Sequence, residues 1–262
     1  MRILITGAAR AIGAATAVEL ARAGHEVVAT ARDVTLLDAL PGVLRLELDV
    51  TDGASIRRAL SEAGELDAIV NNAAVSGKGP LESYPLDRLR AVFETNTLGP
   101  LAVLQAVLPR WRARGSGVVV NVSSVQGIVA TPLEGPYCAS KHALEALSES
   151  LRFEVGHFGI RVVLLEPGYI APGMKPVDRI AGDDDYRALW EQWEGTDRKV
   201  TGSAGRTGPE VVAEAVRRAI EDPTTPLRVP VGADAEAVLA ARARLTDEEF
   251  EATMRQLLGV TW

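Results

Sequence analysis

The 262-residue sequence has very few residues of the types that form disulfide frameworks or metal sites. Its single cysteine, Cys138, cannot form an internal disulfide and is typical of a reducing compartment, so we expect a cytoplasmic protein. The three histidines, His25, His142 and His157, do not have the spacing of metal ligands. We therefore expect no metal site.

Excess positive charge and long apolar runs are also missing. The net charge of −7 argues against nucleic acid or an anionic membrane as the main partner. No apolar run reaches the length of a bilayer-spanning helix, and residues 1–6 lead directly into a predicted core strand. We therefore expect neither a membrane span nor a signal peptide. No Ser/Gly-rich linker divides the chain, which predicts one domain over residues 1–262.

The sequence does contain a regular alternation of short apolar strands and amphipathic helices. The predicted strands lie at residues 3–6, 26–30, 43–48, 68–70, 118–122, 161–165 and 227–231. Apolar strands that alternate with helices predict a parallel sheet covered by helices on both faces, in an α/β fold of the doubly wound, Rossmann type. Ligands of such sheets bind at the carboxyl ends of the strands. Polar residues, glycine or proline stand at these ends, at Gly7, Arg32, Asp49, Asn72, Ser124 and Pro167.

Two helical regions have clear local signals. A long helix is predicted over residues 86–111, with a kink or break at Gly99 and Pro100. The last helix is marked by a capping box of Thr246 and Glu249 and ends before Gly259.

A glycine-containing loop between the first strand and the first helix indicates a dinucleotide site. Glycine lets the backbone approach a pyrophosphate closely, and a helix N-terminus offers free N–H groups to it. We expect cofactor contacts from Gly7, Arg10, Ala11, Ile12 and Gly13. A tight turn that binds no ligand is the alternative.

The end of the second strand favours NADP over NAD. An acid at this position would bind the ribose hydroxyls of NAD, whereas an arginine accepts the additional phosphate of NADP. The chain has Ala31 and Arg32 here, and Arg10 is a second guanidinium for the same phosphate. Asp33, one residue later, is an acid and argues for NAD instead.

Tyr137 and Lys141 are spaced to lie on one face of a helix. Pro136 suits the first position of that helix and places Tyr137 in its first turn. The helix dipole and the ammonium group are expected to lower the pKa of the phenol, which would make Tyr137 a proton donor and acceptor near neutral pH. Without other motifs, an ordinary amphipathic helix is the favoured interpretation of these two side chains.

Together with the glycine loop and residues 71–74, these residues give the chain a resemblance to the short-chain dehydrogenase/reductase family in its single-domain form. Ser124 precedes Tyr137 by thirteen positions, as in that family, and Asn96 matches its helix asparagine. The resemblance implies a catalytic tetrad of Asn96, Ser124, Tyr137 and Lys141.

The resemblance also implies further cofactor contacts and shows three departures. The implied contacts, in addition to the glycine loop and Arg32, are Asp49, Val50, Asn72, Ala73, Tyr137, Lys141, Pro167, Gly168 and Ile170. The departures are Ala11 for the middle glycine of the loop, Ala74 for a glycine, and Pro172 for the threonine that anchors the carboxamide. We expect Ala11 to crowd the cofactor slightly.

The activity implied is the interconversion of a carbonyl compound and an alcohol. In reduction, NADPH delivers hydride, Tyr137 donates the proton, and Ser124 hydrogen-bonds the same oxygen. Lys141 would hold the nicotinamide ribose, and Asn96 would position a water that links Lys141 to solvent. The family also implies a homodimer or homotetramer. Two alternatives are an NAD-dependent alcohol or hydroxysteroid dehydrogenase, and a non-catalytic NADP-binding sensor or scaffold on the same fold.

Residues 171–208 lose the regular periodicity and are predicted to form a substrate lid. Tyr186, Trp190 and Trp193 form an apolar stripe at helical spacing, which predicts a bulky apolar or aromatic substrate. The alternative is that the stripe packs as core or forms a subunit contact. Gln126, Tyr169 and Met174 complete the candidate substrate residues.

Overall fold

The computed structural model describes residues 1–174 and 184–262 and confirms the predicted α/β fold. Within these residues, seven strands form one fully parallel sheet in the order β3-β2-β1-β4-β5-β6-β7. The strands are β1 (Arg2–Ile5), β2 (Glu26–Ala31), β3 (Leu44–Glu47), β4 (Ala68–Asn71), β5 (Gly117–Val122), β6 (Ile160–Pro167) and β7 (Arg228–Val231). The strand order reverses between β1 and β4, which opens a crevice at the carboxyl end of the sheet.

Ten α-helices accompany the strands in the described part of the chain. They are α1 (Ala11–Arg22), α2 (Gly53–Ala63), α3 (Leu86–Phe93), α4 (Gly99–Arg114), α5 (Gly135–Gly156), α6 (Arg187–Trp193), α7 (Thr196–Thr201), α8 (Pro209–Glu221), α9 (Ala233–Arg242) and α10 (Asp247–Leu258).

Helices cover both faces of the sheet, so the central strands are apolar along their whole length. Every residue of β4 and β5 is buried. On one face, Leu20 of α1 and Val216 of α8 pack in a cluster with Ile5 of β1. On the other face, Val107 of α4 and Leu151 of α5 belong to a second cluster. This double cover fixes the strand ends that carry the site residues.

The break in the long helix lies earlier than predicted. The chain forms a π-helical turn at Glu94–Leu98, and α4 then begins at Gly99. Pro100 occupies the first turn of α4, where its missing N–H breaks no helical hydrogen bond. The π turn carries Asn96, and such turns are frequent at functional sites.

The same helical segment, Leu86–Arg114, corrects one expectation about membranes. By length and composition alone it is long and apolar enough to cross a bilayer. In the fold, however, Val103 and Trp111 are buried in the second cluster, and Trp111 Nε1 donates to the carbonyl of Leu66 over 2.7 Å. A core helix meets the same criteria, and this packing is that of a core helix.

The predicted lid region is more regular than its sequence indicates. Helices α6 and α7 lie within residues 171–208, while residues 175–183 are outside the described part of the chain. Helix α7 has six residues, too few to show a helical period in the sequence.

The capping box of the last helix is confirmed, because the Thr246 and Glu249 side chains each accept a hydrogen bond from the other's backbone N–H.

Candidate active site

The loop between β1 and α1 needs glycine at both of its ends. Gly7 has a φ of +67°, and a Cβ there would lie 2.9 Å from the Cα of Ala73. A Cβ on Gly13 would lie 2.4 Å from the carbonyl oxygen of Gly7, so α1 can pack this closely only on a glycine. Tight turning and close helix packing are two of the three glycine roles in a dinucleotide fold.

Ala11 occupies the middle glycine position of the loop and adopts a conformation that favours glycine. Its φ is +46°, in the left-handed region where a Cβ is unfavourable. Arg10, just before it, is extended, and Ile12 packs against the first cluster. The departure from the family pattern therefore strains the start of α1, in addition to the predicted crowding of the cofactor.

The end of β4 is fastened to this loop by side chains. Asn72 Nδ2 donates to the carbonyl oxygens of Thr6 and Gly7, each over 3.0 Å. The backbone N–H groups of Asn72 and Ala73 both donate to Thr6 Oγ1 at 3.0 Å. Asn72 thus shapes the nucleotide loop, and Thr6 is a functional residue that the sequence reasoning missed.

The side chains expected to select NADP lie at the ends of β1 and β2. Arg10 and Arg32 are exposed, and neither guanidinium has a hydrogen-bond or ion-pair partner within residues 1–174 and 184–262. Asp33 is engaged, because its Oδ1 accepts hydrogen bonds from Thr35 N at 3.1 Å and Thr35 Oγ1 at 2.6 Å. The acid that would favour NAD therefore forms its hydrogen bonds within its own turn.

Asp49 and Val50 organise the end of β3. Asp49 Oδ1 accepts from the backbone N–H of Thr51 at 2.9 Å and from its hydroxyl at 2.8 Å. Val50 is buried, and a Cβ on Gly99 would lie 2.8 Å from Val50 Cγ2. Glycine at the start of α4 lets the π turn pack against this strand end.

Ser124 and Tyr137 meet between the end of β5 and the first turn of α5. The Ser124 hydroxyl lies near enough to the Tyr137 hydroxyl to favour the ionised phenol. Ser124 Oγ also accepts from Gln126 N at 3.1 Å, and its distance to the carbonyl oxygen of Pro167 is 3.5 Å. The side-chain pair that carries the family resemblance is brought together as predicted.

Lys141 lies one turn further along α5, inside the protein. Its side chain is 2% exposed, and Nζ is 5.8 Å from the centre of the Tyr137 ring. Nζ donates to the carbonyl of Val122 over 2.7 Å. Burial lowers the pKa of Lys141 to about 8, while the nearby Glu145 carboxylate opposes that change.

The expected lowering of the Tyr137 pKa is wrong for this structure. Burial raises the pKa of the phenol well above its ordinary value, and the negative charge of Glu134 adds to the increase. The nearby Ser124 hydroxyl acts in the opposite direction and lowers the pKa. The reason is tertiary: helical spacing places Lys141 near the phenol, but burial disfavours the phenolate more strongly.

Asn96 is fully buried in the π turn and holds the neighbouring chain. Its Oδ1 accepts from Val75 N at 2.8 Å, and Nδ2 donates to Val75 O at 2.9 Å and to Ser140 Oγ at 3.0 Å. Ser140 in turn donates to the carbonyl of Tyr137 over 2.7 Å. Asn96 therefore supports the helix that carries Tyr137, while the water between Asn96 and Lys141 stays a prediction.

The segment after β6 is held by an acid that sequence reasoning missed. Asp234, buried at the start of α9, accepts from the backbone N–H of Tyr169 over 2.7 Å. A Cβ on Gly168 would lie 2.2 Å from Asp234 Oδ2, so the close approach requires glycine. Ile170 pairs with Thr207 in an isolated bridge. Asp234 is 65 positions from Tyr169, and no local signal connects them.

The replacement of threonine by Pro172 is accompanied by a cis Ala171–Pro172 peptide bond. Ala171 N donates to the carbonyl of Thr207 over 2.9 Å, which holds the chain beside this proline. Met174, the last residue before the undescribed segment, is exposed.

Gln126 and Glu134 form a polar cluster beside Tyr137. Gln126 Nε2 donates to Thr131 Oγ1 over 2.6 Å and to the Glu134 carboxylate. Lys78 Nζ forms an ion pair with the other carboxylate oxygen of Glu134, at 3.3 Å. Glu134 directly precedes α5, and the sequence reasoning missed it. Its charge lies close enough to raise the pKa values of Tyr137 and Tyr169.

Tyr169 lies half-buried where the chain leaves β6 for the lid. Its hydroxyl lies near the Thr196 side chain, which acts to lower its pKa, and the Arg206 guanidinium carbon is 6.0 Å from the ring centre. Burial raises the pKa of Tyr169 to about 12. Tyr169 therefore joins the end of β6 to α7.

The aromatic stripe lies on and beside α6. Trp193 is buried in a third cluster with Leu133 and Leu258, and Trp190 packs against that cluster. Tyr186 donates its hydroxyl to Glu82 Oε2 over 2.5 Å, and its ring lies 6.1 Å from that of Trp262. Packing in this cluster thus accounts for the burial of Trp193, while the substrate role of the three residues stays a prediction.

Among the described residues, no group of three or more His, Cys, Asp or Glu could hold a metal ion.

The arrangement fits a nicotinamide dinucleotide and a carbonyl or alcohol group. The glycine turn at Gly7 and Gly13 opens onto a helix N-terminus, which suits a pyrophosphate. The hydroxyls of Ser124 and Tyr137, with the ammonium of Lys141 nearby, can exchange a proton with an oxygen atom and stabilise charge on it.

Comparison with known proteins agrees with this geometry. The model of the family described as short chain dehydrogenase matches residues 1–180. A 3-ketodihydrosphingosine reductase of Bacteroides thetaiotaomicron is 31% identical over 264 residues, which cover 97% of this chain and 96% of the relative.

Two solved structures extend the likeness to the whole fold. A short-chain dehydrogenase of Streptomyces avermitilis is 33% identical, with a TM-score of 0.83 over 100% of this chain and 99% of its own. A short-chain dehydrogenase of Burkholderia cenocepacia, solved in complex with NADP, is 26% identical, with a TM-score of 0.77 over 98% of this chain and 97% of its own. The chain is an oxidoreductase that belongs to the short-chain dehydrogenase/reductase family.

Proposed function

We propose that the protein is an NADP(H)-dependent oxidoreductase that interconverts a ketone or aldehyde with an alcohol, with Tyr137 as general acid and base. The observation that carries the proposal is that the Ser124 hydroxyl lies beside the Tyr137 hydroxyl, with the Lys141 ammonium 5.8 Å from the centre of the phenol ring. These three groups supply a proton donor, a second hydrogen-bond donor and a positive charge at one place.

The residues have complementary roles in reduction. The nicotinamide cofactor, when bound, supplies or accepts the hydride. Tyr137 is protonated at neutral pH and can donate its proton to the carbonyl oxygen, while Ser124 partly opposes the effect of burial on its pKa. Ser124 hydrogen-bonds the same oxygen as negative charge develops. Lys141 keeps a positive charge beside the phenol and would hold the nicotinamide ribose.

Preference for NADP is supported by charge at the nucleotide end of the site. Arg10 and Arg32 are exposed and have no acidic partner among the described residues, so both can turn to a phosphate. Asp33 is occupied by Thr35. The Burkholderia neighbour, which was solved with NADP, supports the same preference.

A bulky apolar substrate is supported by the position of α6. Its residue Trp193 packs against Leu133, four positions before Tyr137, so the aromatic stripe lies beside the start of the catalytic helix. Substitution Trp190→Ala tests this point. We expect a loss of kcat/KM on large ketones that exceeds the loss on small ones, whereas an equal loss on both, with lower stability, would support a packing role alone.

Two further properties are proposed with the activity. A homo-oligomer is supported by Leu98 and Leu147, which are exposed beside α4 and α5, and light scattering after gel filtration would test it. A reducing, cytoplasmic location is supported by the unpaired thiol of Cys138 and can be checked by cell fractionation.

The experiment that tests the function is a panel of ketones, aldehydes and alcohols assayed with each cofactor. We expect turnover with NADPH or NADP, and a kcat/KM for NADPH at least about 10-fold above that for NADH, since two guanidiniums face the distinguishing phosphate. Preference for NADH would favour the NAD-dependent alternative. Cofactor binding without turnover on the whole panel would favour a sensor or scaffold.

A further inference from the structure

A group of buried charges lies behind the catalytic helix, away from the nucleotide loop. Glu145 of α5 and Glu166 of β6 are only 3% and 2% exposed. Arg228 of β7 lies between them, with its Nε 2.9 Å from Glu145 Oε2 and 3.7 Å from Glu166 Oε1. The mechanism above uses none of these three side chains.

The group contains more negative than positive charge. Arg228 also forms an ion pair with Glu149 through Nη2 at 2.9 Å, so one guanidinium serves three carboxylates. In the described part of the chain, Glu145 Oε1 and Glu166 Oε1 are buried without a hydrogen-bond partner. A buried, unpaired carboxylate oxygen is unfavourable, and two such carboxylates near one cation favour retention of a proton.

The group reaches the catalytic lysine through helix geometry. Glu145 follows Lys141 by four positions in α5, so both side chains lie on the same buried face. The only hydrogen bond of Lys141 Nζ among the described residues is to the uncharged carbonyl of Val122. Glu145 is therefore the carboxylate that supports the ammonium charge.

We propose that Glu145 and Glu166 hold one proton between them near neutral pH and that this pair, bridged by Arg228, is a positioning group that maintains the charge of Lys141. The catalytic part of this inference rests on the proposed function. The charged and titratable groups that face the pair are Lys141 and Glu149 from α5 and Arg228 from β7, and the polar hydroxyl of Ser123 lies at the end of β5.

The electrostatics of the pair agree with the geometry. Burial and the adjacent Glu145 raise the pKa of Glu166 to about 7, against the effect of Arg228. Arg228 and Lys141 are two positive charges beside the three carboxylates, so a proton on the pair leaves two negative charges for two positive ones.

The kinetic test measures kcat for ketone reduction at saturating NADPH as a function of pH in three glutamine variants. The quantity compared is the pH at which kcat falls on the alkaline side, which we call the alkaline limb. Glu145→Gln removes the charge that supports Lys141, so the limb should move to lower pH by about one unit. By the pH of the limb the wild-type pair has lost its proton, and Glu145 rather than Glu166 acts on Lys141, so Glu166→Gln should move the limb by clearly less than Glu145→Gln does. Glu149→Gln, which removes the exposed partner of the same arginine, should leave the limb unchanged.

A second readout does not depend on turnover or on which substrate is used. Wild type should show the infrared band of a protonated carboxyl group, which disappears as pH rises through about 7. Glu166→Gln should remove that titrating band, Glu145→Gln should move its midpoint to lower pH, and Glu149→Gln should leave it unchanged. Circular dichroism and thermal melting establish that each variant is folded.

The outcomes separate this inference from the proposed function. A limb that does not move in Glu145→Gln, or that moves as far in Glu166→Gln as in Glu145→Gln, would overturn the assignment to Lys141. Absence of the infrared band in wild type would overturn the shared proton. If no substrate is turned over, the proposed function fails, and the infrared band still decides whether the pair holds a proton.

Discussion

Lys141 donates from Nζ to the carbonyl oxygen of Val122 over 2.7 Å, at the end of the strand that leads to Ser124. This contact holds the ammonium inside the protein, where burial lowers its pKa to about 8. The catalytic cation is therefore close to its titration point under ordinary assay conditions.

The first prediction concerns the pH dependence of turnover. A lysine with a lowered pKa loses its charge as pH rises through that value, so kcat for reduction should fall above about pH 8 rather than near the ordinary lysine value. The pH profile of kcat at saturating NADPH measures this limb. Lys141→Arg should lack it, because a guanidinium stays charged. The same limb in Lys141→Arg would show that another group titrates.

The second prediction concerns cofactor selection by Arg32. Replacement by alanine removes a guanidinium from the phosphate that distinguishes NADP, so Arg32→Ala should raise KM for NADPH by about 10-fold or more. KM for NADH should change little. Arg152→Ala, an exposed arginine of α5, is the matched control and should leave the ratio of the two KM values unchanged. Equal effects of Arg32→Ala on both cofactors would contradict this role.

The third prediction concerns the strained alanine in the nucleotide loop. Ala11 has a φ of +46°, which glycine adopts without the clash of a Cβ. Ala11→Gly should stabilise the protein by about 0.5–1 kcal/mol and lower Kd for NADPH. Urea unfolding and fluorescence titration measure the two effects. Ala15→Gly, inside α1, should instead destabilise by about 1 kcal/mol. Loss of stability in both variants would argue against the strain.

The fourth prediction concerns stability and the buried carboxyl of Glu166. Its pKa is raised to about 7 in the folded state, so folding favours the protonated form. This contribution is complete below the unfolded carboxyl pKa and is lost as pH rises toward about 7.

Glu166→Gln should therefore gain stability relative to wild type between pH 5 and pH 8, by on the order of 2 kcal/mol. Urea unfolding at the two pH values measures the difference. Glu149→Gln, with an exposed side chain beside the same arginine, should show little change with pH. A difference between Glu166→Gln and wild type that is the same at both pH values would refute the raised pKa.

Local sequence signals predicted the parts of the site that depend on local geometry. The spacing of Tyr137 and Lys141 follows from helix periodicity, and the glycine requirement at Gly7 and Gly13 follows from a tight turn between strand and helix. The capping box at Thr246 likewise depends on residues only three positions apart.

Features that depend on distant partners could not be predicted in this way. Asp234 meets Tyr169 across 65 positions, and Arg228 meets Glu145 across 83 positions. The pKa of Tyr137 was predicted with the wrong sign because its burial is set by tertiary packing, which sequence spacing does not describe. The π turn at Glu94–Leu98 likewise lacks a local marker such as the proline that was expected to break the helix.

The central claim is that Tyr137 exchanges the proton, and Tyr137→Phe tests it most directly because it removes one hydroxyl and leaves the ring. We measure kcat for ketone reduction and Kd for NADPH in this variant, with Tyr84→Phe as a control for the same chemical change at a half-buried tyrosine before α3. The account predicts a loss of kcat of at least about 100-fold in Tyr137→Phe with Kd for NADPH nearly unchanged, and wild-type values in Tyr84→Phe. Turnover at the wild-type rate in Tyr137→Phe would contradict it.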